Sequence, residues 1–318
     1  MAELATNTPR LLDPRKFRDP ERTADGQRRA SVFLRKLETL WVCTGTLCNL
    51  ACQNCYIESS PRNDRLVYIS VDEVCGYLDE IEREGMGTQT VGFTGGEPFM
   101  NPDMIPMLKN TLERGFDALM LTNAMKPMMK CASDLLKLQQ QYGPQLSIRV
   151  SVDHYRKDLH EQERGPRAWE PMVRGLHWLT SNGFQVDIAG RLFSGESESE
   201  MRAGYADLFS REEIDLDAQD PHKLVLFPEM DASLDVPEIT VDCWEKTGQR
   251  PDDMMCASSR MVIKRKGEER PVVVPCTLLP YEPDFELSHS LKDSFQDVPL
   301  NHPHCSKFCV LGGGNCGG

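Results

Sequence analysis

From Leu37 to about residue 230, short apolar runs alternate with longer stretches whose apolar residues recur every three or four positions. The short runs fit buried strands and the longer stretches fit amphipathic helices. Strands are expected at Leu37–Cys43, Gln89–Thr94, Ala118–Thr122, Leu146–Asp153, Phe184–Arg191 and Lys223–Phe227, with helices near 103–114, 132–141, 169–181 and 198–209. A further helix should follow the capping box of Ser70 with Glu73, carry apolar residues at Val71, Val74, Leu78 and Ile81, and stop at Gly85. Strand alternating with helix predicts a mostly parallel sheet with crossover helices. About six such units are too few to close an eightfold barrel, so the expected fold class is α/β, a partial (β/α)6 TIM-like barrel. A doubly wound sheet is the alternative.

In either architecture ligands gather at the carboxyl ends of the strands. The unusual polar segments fall there. They are a cysteine loop after the first strand, Thr94-Gly95-Gly96-Glu97-Pro98 after the second, Ser151-Val152-Asp153-His154 at the fourth, Gly190-Arg191 at the fifth and Phe227-Pro228-Glu229-Met230-Asp231 at the sixth. Beyond about residue 232 the alternation fades into a segment rich in Pro, Gly and Cys, which a metal site could stabilise where burial is insufficient. The expected organisation is a polar N-terminal extension over 1–36, a barrel over 37–231 and a small Cys-rich cluster-binding domain over 232–318.

Charge and composition narrow the function. A formal net charge of −13 over 318 residues argues against nucleic acid or an anionic membrane surface as partner. No apolar run of about 18 residues occurs, and Met1 to Lys36 contains no signal-like apolar stretch, which predicts a cytoplasmic protein without a membrane span. Twelve cysteines are then anomalous, because a reducing compartment disfavours disulfides, and metal or cluster ligation becomes the expected use. Cys43, Cys48, Cys52 and Cys55 lie near the start, and Cys256, Cys276, Cys305, Cys309 and Cys316 in the last fifth, which suggests two sites. Cys75, Cys131 and Cys243 read as small buried hydrophobes.

Cys48, Cys52 and Cys55 have the spacing C-x3-C-x2-C. Three thiolates on so short a loop can wrap one face of a [4Fe–4S] cubane and leave one iron open to a small molecule, unlike an electron-transfer cluster held by four cysteines. Zinc is the alternative, although it usually takes four protein ligands in paired C-x2–4-C units. Cys43, at the end of the strand, could serve as a fourth ligand.

With Gly95-Gly96-Glu97-Pro98 one β/α unit later, the chain resembles the radical S-adenosylmethionine superfamily, whose hallmark is this cysteine spacing after the first strand of a partial (β/α)6 barrel. The resemblance implies that the turn contacts the methionine amino group of the cofactor, its glycines permitting close backbone approach and Glu97 meeting the ammonium. Asp153, His160, Arg164-Gly165, Trp169, Gly175-Leu176 and Leu179 follow the pattern of the branch with auxiliary clusters, which includes molybdopterin-pathway, peptide-modifying and sugar-oxidising enzymes. Ser151 and Asp153 would then lie near the ribose or carboxylate of the cofactor, and Arg191 would pair with the carboxylate. Many members carry an aromatic residue just before the third cysteine. Here Asn54 stands in that place and Tyr56 follows the cysteine, so Phe227 to Met230 could line the adenine instead.

The second cysteine group is similar to the abbreviated auxiliary-cluster (SPASM/Twitch-like) domain, in which two distant cysteines and a close pair hold one [4Fe–4S] cluster. Cys256 and Cys276, nineteen residues apart in the intervening chain, and the pair Cys305 and Cys309 are the favoured ligands. Cys316 could replace one of them, Val272–Val274 fits a short hairpin strand, and His302 and His304 flank the pair. A zinc site built from the same residues is the alternative.

By this resemblance the open iron chelates the amino and carboxylate groups of S-adenosylmethionine, and one electron from the reduced cluster breaks the C–S bond. The 5′-deoxyadenosyl radical then abstracts hydrogen from a small-molecule or peptide substrate. An electron donor such as flavodoxin or ferredoxin is implied. A non-catalytic iron–sulfur electron carrier and a zinc-stabilised binding module are the rival readings, and neither explains the glycine turn one unit after the cysteine loop.

Overall fold

The computed structural model describes residues 10–312. In chain order the elements are β1 (Ser31–Phe33), β2 (Thr39–Cys43), α1 (Val71–Glu84), β3 (Thr90–Thr94), α2 (Met104–Glu113), β4 (Asp117–Thr122), α3 (Lys126–Lys130), α4 (Ala132–Tyr142) and β5 (Leu146–Ser151). They continue with α5 (Lys157–Arg164), α6 (Trp169–Ser181), β6 (Gln185–Leu192), α7 (Glu198–Arg211), β7 (Leu224–Pro228), α8 (Cys243–Thr247), β8 (Ser259–Ile263), β9 (Val272–Val274) and β10 (Asp297–Pro299). All the expected strands and helices of the barrel are present, displaced at their ends by a few residues. The capping box at Ser70 and Glu73 starts α1 and Gly85 ends it.

One sheet runs in the order β7-β6-β5-β4-β3-β2-β8-β9. Strands β2 to β7 are parallel neighbours throughout, with helices as crossovers, so their carboxyl ends share one rim. Side chains alternate between two cores, as a period of two requires. Leu40 and Val42 of β2 pack with the helix layer, whereas Trp41 and Cys43 face the inner core shared with the C-terminal segment.

Two features depart from the sequence reading. The Cys-rich segment supplies β8, which runs parallel to β2 and extends the sheet, with β9 antiparallel beside it as a hairpin. Every residue of β8 is buried, and its side chains split between both cores. Within residues 10–36 the polar N-terminal stretch is also tied to the rest of the fold: β1 pairs with β10, and buried Arg29 forms an ion pair with Glu238. Among the described residues no helix is long and apolar enough to cross a membrane. Cys75, Cys131 and Cys243 are half-buried rather than enclosed.

Candidate active site

The loop after β2 and the turn after β3 are fastened to each other by backbone. Gly96 N donates to Gly45 O at 2.8 Å and Glu97 N to Leu47 O at 3.1 Å, one residue before Cys48. Contact is so close that only glycine fits. A Cβ on Gly95, which has φ of 133°, would stand 2.4 Å from Gly45 O, and one on Gly96 would stand 2.1 Å from Leu47 O. The far side of the cysteine loop is clamped by the end of α5: Gln53 N donates to Glu163 O at 2.8 Å, and Asn54 Nδ2 donates to the Glu163 carboxylate at 3.1 Å. Asn123, just past β4, donates through Nδ2 to Asn49 Oδ1 at 2.9 Å.

These contacts surround one cavity at the carboxyl rim. Cys48, Cys52, Cys55 and Tyr56 line it from the loop, Gly95 and Gly96 from the turn, and Asn123, Ser151, Asp153, Arg191 and Phe227 from the later strand ends. Thr277, Leu278 and Phe308 of the C-terminal segment complete the wall. Most residues expected at the site are thus brought together. Glu97 and Pro98 lie beneath the turn instead. The buried Glu97 carboxylate accepts hydrogen bonds from Thr122 Oγ1 at 2.8 Å and Asn123 N at 2.9 Å, tying the end of β3 to the end of β4. Burial pushes its pKa up to about 7, against these donors.

Arg164 lines the same cavity and donates both Nε and Nη2 to Asp153 at 2.8 Å each. Burial disfavours charge on Asp153, but Arg164 prevails and holds the carboxyl below the usual range. Removing one partner from a buried pair of this kind typically costs about 3–5 kcal/mol, because the other charge is left without compensation. Asp153 therefore presents no unpaired carboxylate to a ligand. Arg191 does retain donors: its Nη1 bonds Glu163 at 2.9 Å, while Nε and Nη2 are buried with no hydrogen-bond partner among the described residues. Glu229 stands 3.7 Å from Nη2, and the guanidinium lies 5.1 Å from the Tyr56 ring centroid. A carboxylate in the cavity would satisfy those donors.

Burial pushes the Cys48 thiol up to about 12 and also raises Cys52, where the Arg164 cation opposes it. Such thiols lose their protons to a bound metal rather than to solvent. Tyr56 Oη donates to Pro228 O at 3.0 Å, and its ring meets Phe227 and Phe308 edge-on, so the cavity has a polar end and an aromatic end.

Cys256 lies in the turn before β8, Cys276 follows β9, and Cys305 and Cys309 lie on one turn over Cys305–Val310. All four belong to the inner core or pack against it, together with Cys43, which does not line the cavity. Burial pushes Cys256 up to about 11 and Cys305 up to about 12. Cys316 lies outside the described residues. Among the described residues no three His, Cys, Asp or Glu side chains stand close enough to hold a metal ion as they are.

A three-cysteine loop and a glycine turn thus meet at the carboxyl rim of a parallel β/α sheet. The chain belongs to the Radical SAM superfamily, whose family model matches residues 42–206. It is 26% identical over 306 residues to the antilisterial bacteriocin subtilosin biosynthesis protein AlbA of Bacillus subtilis, a match covering 85% of this chain and 64% of AlbA. It spans between 33% and 46% of several other curated relatives. The fold is similar to that of Streptococcus suis SuiB bound to S-adenosylmethionine, with a TM-score of 0.61, 15% identity, and 85% of this chain and 68% of that one covered. It is also similar to native anSMEcpe with bound AdoMet, with a TM-score of 0.57, 14% identity, and 85% and 82% covered.

Proposed function

We propose that Cys48, Cys52 and Cys55 hold a [4Fe–4S] cluster, that S-adenosylmethionine binds beside it against Gly95 and Gly96, and that the chain is a radical enzyme acting on a peptide. The cluster, when bound and reduced, supplies the electron that cleaves S-adenosylmethionine to a 5′-deoxyadenosyl radical. The observation that carries the reading is the backbone fastening of the cysteine loop to the glycine turn, which joins two separate motifs around one cavity. Gly95 and Gly96 line the cavity and let the turn lie directly against the cysteine loop. Arg191 offers donors for its carboxylate, and Tyr56 and Phe227 offer apolar surface for its adenine. Glu97 acts as the girder under the turn rather than as a direct ligand.

Cys256, Cys276, Cys305 and Cys309 are proposed to hold a second cluster in a functional unit beginning near residue 232. The residues next to Cys276, Thr277 and Leu278, and Phe308 between the last pair, form part of the cavity wall, so that cluster would stand beside the substrate. A peptide is the favoured substrate because AlbA takes part in bacteriocin biosynthesis and SuiB has been crystallised with the precursor peptide SuiA. A flavodoxin or ferredoxin would supply electrons.

Gly95→Val tests the cofactor site. The added side chain would collide with Gly45 O and adopt a backbone conformation that valine resists. Affinity for S-adenosylmethionine, followed by equilibrium binding under anaerobic conditions, is expected to fall at least about tenfold, a loss of about 1.4 kcal/mol. Iron content is expected to fall as well, because the collision is with the backbone that fastens the cysteine loop to the turn. Wild-type affinity together with wild-type iron content would show that loop and turn do not depend on each other.

A further inference from the structure

Arg260 of β8 has no exposed surface. Among the described residues its guanidinium donates only to backbone carbonyls: Nη1 to Cys256 at 2.7 Å and Ser259 at 2.9 Å, Nε and Nη2 to Ser294 at 3.1 and 3.0 Å, and Nη2 to Gln296 at 3.4 Å. The other buried arginines among the described residues each face a carboxylate: Arg29 faces Glu238, Arg149 faces Asp187 and Arg191 faces Glu163. Arg260 instead holds the carbonyl of Cys256, one of the proposed cluster ligands. A buried cation with no counter-ion costs several kcal/mol, and carbonyl dipoles offset only part of that.

We infer that Arg260 is the built-in counter-charge of the proposed C-terminal [4Fe–4S] cluster and raises its reduction potential, biasing it to accept an electron. The inference rests on the proposed ligation by Cys256, Cys276, Cys305 and Cys309. A cubane with four thiolate ligands is an anion whether oxidised or reduced, and reduction adds one more negative charge. A fixed cation therefore stabilises the reduced state more than the oxidised one. The electron is the one released when the substrate radical is oxidised. The carbon centre loses one electron, the cluster gains it, and any proton lost in forming the product passes to solvent. A guanidinium keeps its proton in proteins, so the charge is fixed.

The test is an anaerobic redox titration of the reconstituted full chain followed by EPR. The second cluster is recognised as the signal that S-adenosylmethionine does not alter and that disappears in Cys256→Ala/Cys276→Ala. In Arg260→Gln that cluster should be at least about tenfold less reduced at the wild-type midpoint, which places its own midpoint about 59 mV lower for a one-electron couple. Arg260→Lys, which keeps the charge, should stay near the wild-type value. An unmoved midpoint in Arg260→Gln overturns the inference, as does an equal shift in Arg260→Lys. Loss of the second signal in Arg260→Gln with the first intact would make Arg260 a scaffold and also overturn it. If Arg260→Gln does not fold, the wild type decides: the second cluster must be reduced before the first as the potential is lowered, and the reverse order contradicts the proposal. A wild type with no second signal would instead remove the auxiliary cluster itself, a distinct result.

Discussion

Replacing Cys48, Cys52 and Cys55 together by Ala is expected to bring formation of 5′-deoxyadenosine from S-adenosylmethionine down to the reagent blank. Iron content should fall by roughly four atoms per chain, because the loop supplies every protein ligand to that cluster. The loss should be chemical rather than conformational. The loop is held by the backbone bond from Gln53 N to Glu163 O and by Asn49 and Asn54, none of which the substitutions touch. Product analysis by chromatography, with circular dichroism as a control on folding, checks it. Undiminished product in the triple variant would show that S-adenosylmethionine is activated elsewhere.

Cys256→Ala/Cys276→Ala should divide the two proposed clusters. This variant is expected to keep roughly four irons and to go on cleaving S-adenosylmethionine, while conversion of substrate is lost. Stability should fall as well, since both sulfurs are buried in the inner core and their removal leaves cavities in addition to an empty metal site. Iron analysis, 5′-deoxyadenosine assay and a thermal melt separate these effects. Full wild-type iron in the double variant, or zinc in the wild type, would contradict a second iron–sulfur site.

The strands and crossover helices of the barrel were legible because their apolar spacing is local. The cysteine loop and glycine turn were legible because each motif is contiguous. What escaped was non-local. Strand β8 sits in a segment dominated by Pro, Gly and Cys, and its residues face two cores at once, so it shows no polar face to mark a period. Helix α5 is nearly all polar, and its Glu163 acts on partners outside it, the cysteine loop and Arg191. The N-terminal stretch read as a polar extension because its stabilising partners, Glu238 and β10, lie more than two hundred residues downstream. The carboxylate of Glu97 looked available to a ligand, and only the fold shows it committed to Thr122 and Asn123.

The central claim is that one iron of the first cluster is left open for S-adenosylmethionine. EPR of the anaerobically reduced protein, recorded with and without S-adenosylmethionine, measures this directly. One [4Fe–4S] signal should change its g-values on addition of the cofactor, and that signal should be missing from the triple variant at Cys48, Cys52 and Cys55. Iron–sulfur signals identical with and without S-adenosylmethionine, or a colourless protein holding zinc, would contradict the account.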